Sequence, residues 1–460
     1  MPIILNDIDT PTLDDFLDRK RHNLCLPGLA VAVVQGNRIL YVQGFGNAAP
    51  ERAMTSQTPM VIGSLSKSFT ALAIMRLVEQ GKLDLDAPVR DYIPWFCLAD
   101  PRAAAAITLR YLLTHTSGIS TYTGRELLGE SGGKTIEQSV RELRTLKLTQ
   151  PVGTMFQYSN TNYLIAGLVV EVVSGQSFAS YIQEHIFAPL HMSYSHTNER
   201  DANDGGLATG YRWWFGVPVP GRVPFLDDAL PAAFLACSVE DLARYLIACL
   251  DAGRSNQVLL SPAGFEELFR PQTVTATAGS SYALGWRRSL LNGVPVISHT
   301  GEVANYRAEM LLLPEQQLGI VVLANCNNGL IADVGLDRVV PGIVSILQGK
   351  QPITRKLTFK RFYLLLDLAA GSLSALQVLW TWRLLTTKRR SCSGAMLGAL
   401  VDLAAPVAAV VFLPRIFDAP WSLLRIYVPD LVAWMRFVAL PLAIIRLLLR
   451  IARFLVEGIR

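Results

Sequence analysis

Charge is scarce in this 460-residue chain. Only 17% of its residues are Asp, Glu, Lys or Arg, against roughly 25% in soluble domains, which argues against a wholly soluble globule. The low hydrophobicity that disorder requires is also missing, since 51% of the chain is apolar and its mean hydropathy is positive; most of it must pack a core or meet lipid. Histidine is rare, with six in all and no His-Glu-x-x-His pair, so the ligand set of a zinc hydrolase is lacking. The six cysteines, Cys25, Cys97, Cys237, Cys249, Cys326 and Cys392, stand at no metal-like spacing, and a core this large needs no disulfide scaffold. Buried free thiols are expected, with neither a metal nor a cofactor. No internal repeat or low-complexity segment interrupts the chain.

The net charge of +5 dissolves when the chain is divided at Lys350. From there to Arg460 there are 16 Lys and Arg against 5 acids, which leaves 26 against 32 in residues 1–349. The front therefore lacks the basic footprint of a nucleic-acid binder, and the basic tail suits anionic lipid. Beyond residue 360, three apolar stretches are long enough to cross a bilayer, at 362–384, 395–413 and 431–449. We expect three transmembrane helices joined by Arg-rich links, preceded by a basic linker at 350–361. Asp367, Asp402 and Arg436 fall inside these stretches, where an unpaired charge costs several kcal/mol. Asp367 and Arg436 reach similar depths if the first and third helices run the same way, so an ion pair between them is expected, with snorkelling toward the headgroups as the alternative. Counting cations on alternate sides gives seven against seven, so the positive-inside rule does not orient the bundle. The start, MPIILNDIDTPTLDDF, has no basic region followed by an apolar run. No signal peptide is visible there, yet the catalytic domain is expected outside the cytoplasm of a multi-pass membrane protein.

In the front domain, LPGLAVAVV and RILYVQGFG are β-rich runs joined by Gln35-Gly36-Asn37, a hairpin turn. The β pattern returns near residue 300 in VPVISHTG, AEMLLLP and LGIVVLAN. Between these ends the periodicity is helical, as in SFTALAIMRLVEQGKL. Strands from both chain ends with helices inserted between them predict an α+β fold: an antiparallel sheet flanked by helices, plus an all-helical subdomain.

Ser64 and Lys67 are three residues apart at the start of a helical pattern, which puts them on one face, one turn apart. A serine hydroxyl is a weak nucleophile until a neighbour takes its proton, and a lysine in a low-dielectric site can be neutral enough to do so. At a helix start, free backbone N–H groups also stand ready to stabilise an oxyanion. Taken alone, Ser64 is as well explained as a helix-start serine. A second Ser-x-x-Lys, Ser131 to Lys134, lies in a glycine loop with no helix behind it and is read as a turn. Two further motifs separate the two cases: Tyr158-Ser159-Asn160 follows Ser64 by 94 residues, and the triplet His299-Thr300-Gly301 begins 141 residues after Tyr158.

With Ser-x-x-Lys, Tyr-x-Asn and His-Thr-Gly in this order, the chain resembles the serine β-lactamase and D-alanyl-D-alanine peptidase superfamily, in its class C β-lactamase-like branch. EQGKLDLDAPVRDYIP, ITLRYLLTHTSGI and YALGWRR are similar to that family too, and the resemblance covers about residues 10 to 345. It implies that Ser64 is the acylated nucleophile, Lys67 its proton-accepting partner and Tyr158 the general base that shuttles the proton to the leaving group. Asn160 would orient the substrate amide. His299, Thr300 and Gly301 would lie on an edge strand that binds an extended substrate, with Thr300 or His299 at its carboxylate. The backbone N–H groups of Ser64 and Glu302 would form the oxyanion hole. Which of Lys67 and Tyr158 takes the first proton stays open, and a tyrosinate beside the Lys67 ammonium would be stabilised.

His115, in LLTHTSG, is read as a turn bordering the cleft and not as a triad base. Tyr122 and the Trp213-Trp214 pair are candidates for the cleft wall, with simple packing the alternative. Two departures bear on specificity. Ala232-Ala233-Phe234-Leu235 stands where the family usually has a Gly-Gly pair, so that loop is expected to be reshaped. His299 replaces a lysine, and a neutral imidazole attracts a β-lactam carboxylate less than an ammonium does. The expected protein is a membrane-anchored serine hydrolase acting on a small peptide or amide substrate, with D-configured residues, by acyl-enzyme chemistry. A β-lactamase or esterase of the same mechanism is the near alternative, and a non-hydrolysing acylated receptor or scaffold the distant one. The oligomeric state is not legible.

Overall fold

The computed structural model describes residues 9–129, 132–222, 224–255, 258–327, 335–352, 358–386 and 392–458. The predicted turn at Ser131 falls outside these residues, as do residues 353–357 of the basic linker. Nine strands among the described residues form one antiparallel sheet. Its centre is built from both chain ends: β1 (Gly28–Gln35), β2 (Arg38–Ala49), β3 (Arg287–Leu291), β4 (Val294–Val303), β5 (Tyr306–Leu313) and β6 (Leu318–Ala324). Spatially, β1 lies between β2 and β6, and the sheet continues through β5, β4 and β3. The β1–β2 turn falls where expected, with Gly36 at φ +56°, a value that favours glycine.

The sheet's two faces explain why β1 reads as an unbroken apolar run. Ala30, Ala32 and Val34 face one core, which includes the helix Val239–Asp251. Leu29, Val31 and Val33 face a second core made with the terminal helices Thr10–Asn23 and Val339–Leu347. A strand covered on both faces has no place for polar alternation. The helical subdomain is inserted between β2 and β3, and three of its helices shape the site: α1 (Ser66–Glu79), α2 (Thr121–Gly129) and α3 (Asn160–Ser174). The cysteines seen are free; Cys237, Cys249 and Cys326 are buried, and Cys25 and Cys97 half-buried.

The tail forms α4 (Phe359–Thr386), α5 (Cys392–Ile416), α6 (Trp421–Tyr427) and a final run, Pro429–Arg453. The first and last are each long and apolar enough to cross a membrane. They match the first and third predicted spans. The end of the middle span behaves differently, because Val407–Ile416 and Trp421–Tyr427 are bent by 80° into a broken span or re-entrant loop. The start of α4 is anchored in the front domain: Phe359 and Tyr363 join the second core, with the Phe359 ring 4.6 Å from that of Trp213.

The Asp367–Arg436 pair is not formed. Arg436 is exposed and lies over the Phe437 ring, while Oδ1 of Asp367 is buried without a hydrogen bond. The ion pairing instead gathers on Asp402, which accepts from Arg446 at 2.7 Å and Arg450 at 2.8 Å. Those two arginines sit one turn apart on the last helix, so a single carboxylate from α5 meets both.

Candidate active site

Ser64 lies in the short turn Gly63–Leu65, directly ahead of α1. The turn is fixed from several sides. Ile62 N–H donates to the Leu235 carbonyl at 2.9 Å, and the Ser66 hydroxyl donates to the Gly63 carbonyl at 2.8 Å. Gly63 has φ +56°, and a Cβ there would fall 2.3 Å from the Glu302 nitrogen. Only glycine lets the turn carrying Ser64 lie this close to β4.

One helical turn on, Lys67 is completely buried. Its Nζ is 2.9 Å from Ser64 Oγ, 2.7 Å from Asn160 Oδ1 and 2.8 Å from the Ala232 carbonyl oxygen. Burial, helped by the nearby Arg287 guanidinium, holds the Lys67 ammonium well below its usual range. A neutral amine has two N–H bonds and one lone pair. Two carbonyl-type acceptors and one hydroxyl complement that set. In the loop that lacks the Gly-Gly pair, Leu230–Phe234 forms a single wide helical turn, and its Ala232 carbonyl is part of the lysine's cradle.

Tyr158 lines the same cavity as Ser64. The Tyr158 ring lies 5.0 Å from Lys67 Nζ. Burial pushes the phenol up to about 12, against smaller lowering effects of Ser64 and Arg287. The expectation of a stabilised tyrosinate beside an ammonium is therefore overturned, because desolvation disfavours both charged forms. Asn160, at the start of α3, is bonded at both ends of its amide: Oδ1 accepts from Lys67, and Nδ2 donates to the Gly124 carbonyl at 2.9 Å. It holds the lysine to α2, while lining the cavity.

His115 braces this loop. Its Nδ1 accepts from the Ser159 N–H and from Asn162 Nδ2, each at 3.1 Å, so the ring proton sits on Nε2. Its ring centroid is 4.3 Å from that of Tyr158. The turn expected here takes a left-handed form, with His115 at φ +58°.

β4 is interior to the sheet, not the edge strand expected, because β3 pairs on its far side. That pairing stops at Arg287 opposite Ser298, and β5 covers the other side. Residues 299–303 are thus free of strand pairing along one flank, and the Ser64 turn packs against it. Gly301 makes this possible: a Cβ there would lie 1.9 Å from the Ile62 carbonyl oxygen. His299 is 1% exposed, with Nε2 2.9 Å from the Tyr282 hydroxyl and Nδ1 2.7 Å from the Thr300 carbonyl. Burial and the neighbouring Arg287 and Lys67 push its pKa well down, so it is neutral. Glu302 pairs across the strands with Arg307.

A cavity of about 230 Å³ brings Ser64, Tyr158, Asn160, His299, Thr300 and Glu302 together. Lys67 and Gly301 are not among its lining residues; Lys67 reaches the cavity through its bond to Ser64. Sequence reasoning missed Arg287, which stands in the cavity with its guanidinium 5.6 Å from the Tyr158 ring and 5.8 Å from that of Tyr282. Its signal was present in YALGWRR but was taken only as part of a family segment. Thr121 and Arg125 of α2 line the cavity; Tyr122 between them is exposed. Trp213 is fully buried in the second core and Trp214 is 40% exposed, so neither walls the cleft. No sequence signal pointed to the cavity's remaining wall: Phe417, Ala419, Leu423, Leu424 and Tyr427, from the tail.

Known proteins resemble this chain to different degrees. Protein flp of Staphylococcus aureus is 29% identical over 321 residues, or 69% of this chain and 63% of that protein. The chain thus spans under two thirds of the length of the curated relatives it matches. The octameric penicillin-binding protein homologue of Pyrococcus abyssi superposes with a TM-score of 0.66 at 29% identity, covering 75% of this chain and 78% of that one. A D-alanine carboxypeptidase, AmpC, of Burkholderia cenocepacia shares the fold, with a TM-score of 0.60 at 21% identity over 72% of this chain and 99% of its own. The family profile described as Beta-lactamase matches residues 13–339, and with that match the chain belongs to the beta-lactamase family of serine hydrolases.

Proposed function

We propose that this chain is a membrane-anchored hydrolase that cleaves an amide through an acyl-enzyme on Ser64, acting on a peptide with D-configured residues and a free carboxylate beyond the scissile bond. The observation that carries the reading is the buried Lys67 amine, 2.9 Å from Ser64 Oγ with two carbonyl oxygens to take its N–H bonds. Lys67 takes the Ser64 proton as Oγ bonds to the substrate carbonyl carbon. The resulting oxyanion is met by the backbone N–H groups of Ser64 and Glu302. The C–N bond then breaks, and the proton passes through the neutral Tyr158 hydroxyl to the leaving nitrogen. Water attacks the ester, gives its proton back along the same route, and Ser64 is regenerated as the carboxylic acid departs.

The carboxylate is assigned to Arg287 with Thr300, because His299 is neutral and both its ring nitrogens are engaged. A charge-assisted hydrogen bond contributes about 1.5–3 kcal/mol, on the order of ten- to a hundredfold in affinity. Full-length protein in detergent micelles, given a peptide ending in D-Ala-D-Ala and its C-terminal amide, tests this. The parent protein releases D-Ala from the acid in preference to cleaving the amide, and Arg287→Ala cuts that acid-to-amide ratio of kcat/KM at least tenfold. An unchanged ratio removes Arg287 from the role; no turnover of either peptide by protein that labels at Ser64 with a fluorophosphonate removes the peptidase reading.

The pH profile follows from the lysine. A base must be unprotonated, and Lys67 is held well below 10.5 by burial. Acylation is therefore present above that depressed pKa and lost as the pH falls through it. Tyr158, at about 12, stays protonated throughout. A plateau reached well below pH 10 in the fluorophosphonate labelling rate is expected; a rate still climbing through pH 10.5 means that Lys67 is an ordinary ammonium.

A further inference from the structure

The cavity's lining is of two kinds: Ser64, Arg287 and Thr300 are polar, whereas Leu128 of α2 with Leu423, Leu424 and Ala419 of the tail are apolar. The tail residues belong to the bend between the two parts of the broken span, and the bend is fastened to the catalytic domain. Arg125 Nη1 donates to the carbonyl oxygens of Phe417 at 2.5 Å and Asp418 at 2.8 Å. These are carbonyls at the C-terminal end of α5, which a cation satisfies well. The Tyr427 hydroxyl reaches the Glu302 carbonyl at 3.5 Å, beside the assigned oxyanion donor. A Cβ on Gly129 would lie 2.4 Å from Ser422 Oγ and 3.1 Å from the Leu423 nitrogen, so α2 and α6 pack closely at this glycine. Ala419, Leu423 and Leu424 are 4%, 6% and 2% exposed, packed with Val428 and flanked by Leu128.

We propose that this membrane-derived wall is a specificity subsite: Leu128, Leu423 and Leu424 receive an uncharged alkyl or aryl group on the acyl half of the substrate, opposite the leaving half that Arg287 holds. The inference rests on the acyl-enzyme reading above. It makes the tail part of the active site as well as an anchor, and it selects substrates that carry an apolar group on one side of the scissile carbonyl and an anion on the other. An apolar wall beside a buried nucleophile rejects a charged acyl group, because burying an unpaired charge costs far more than an alkyl contact returns. A group seated there lies next to the part of the chain that enters the bilayer, so a substrate already partitioned into the membrane needs no separate path through water.

The test uses full-length protein in detergent micelles with two acyl donors to Ser64, p-nitrophenyl acetate and p-nitrophenyl octanoate. The parent protein prefers octanoate. Leu424→Asp lowers the octanoate-to-acetate ratio of kcat/KM at least tenfold, roughly the effect of two methylenes losing their burial. Leu424→Ala lowers it in the same direction by a smaller factor and reads the subsite even if the aspartate disturbs folding. Ratios within twofold of the parent for both variants, in protein that still labels at Ser64 with a fluorophosphonate, overturn the subsite and leave the hydrolase standing. A parent protein that neither labels nor turns over either ester overturns both.

Discussion

Lys67→Ala is expected to lower the rate of Ser64 acylation about a thousandfold, within the range of about 10² to 10⁴ that a positioned general base supplies. The lysine bonds three separate elements at once: Ser64 of the turn, Asn160 of α3 and the Ala232 carbonyl of the Leu230–Phe234 turn. Its loss removes the proton acceptor and leaves two buried carbonyl oxygens short of a donor, at about 1–3 kcal/mol each. Two readouts separate these effects. Lys67→Met keeps the volume and the apolar stem, so it should melt closer to the parent than the alanine variant while labelling just as slowly. Stopped-flow labelling by a fluorophosphonate measures the first, thermal unfolding the second. Should Lys67→Met acylate within tenfold of the parent, the proton goes elsewhere, and Tyr158 becomes the first base.

Gly301→Ala should be nearly as damaging, for a different reason. The added methyl lies 1.9 Å from the Ile62 carbonyl oxygen and 3.2 Å from the Ala308 Cβ, neither of which is the far end of a flexible side chain. Overpacking of this kind costs about 1–3 kcal/mol. The chain relieves it by separating β4 from the Ser64 turn, which draws the Glu302 N–H away from the developing oxyanion. Losing one such donor lowers kcat by about 10² to 10³. We expect kcat to fall by that factor while KM for a small ester changes by less than about threefold, since ground-state contacts are mostly elsewhere. An alanine variant of parental kcat would show that β4 and the turn do not share an oxyanion hole.

His115 and Asn160 show how a motif can be legible while its duty is not. The letters Tyr158-Ser159-Asn160 identified the loop, and the family resemblance suggested an amide-orienting role for Asn160. In the folded chain both ends of the Asn160 amide are engaged, one by Lys67 and one by Gly124. His115, which carried no assigned chemistry, turns out to brace the same loop through the Ser159 N–H. The protonation states were likewise out of reach, because pairing a phenol with an amine on paper says nothing about how dry their surroundings are. Burial decided it, holding Lys67 low and Tyr158 high.

The membrane segment illustrates the same limit on a larger scale. Apolar length identified the first and third spans, and charge inside them announced that partners were needed. Length could not say which partners, and the pairing went to Asp402 with Arg446 and Arg450. Nor could it say that the middle span would bend by 80° and bring Leu423 and Leu424 to the catalytic cavity.

The amino-acid order by itself determined the α+β architecture, the family, the Ser64, Lys67 and Tyr158 triad of letters, and the presence of apolar spans. Each of these is written in local periodicity or in motif spacing, which survive without knowledge of distant neighbours. Tertiary structure decided that β4 is interior yet open along residues 299–303, that Arg287 enters the cavity, that burial holds the lysine's pKa well down, and that the tail lines the site. Those properties depend on which surfaces meet and how much water is left between them, and no single segment of the chain encodes either.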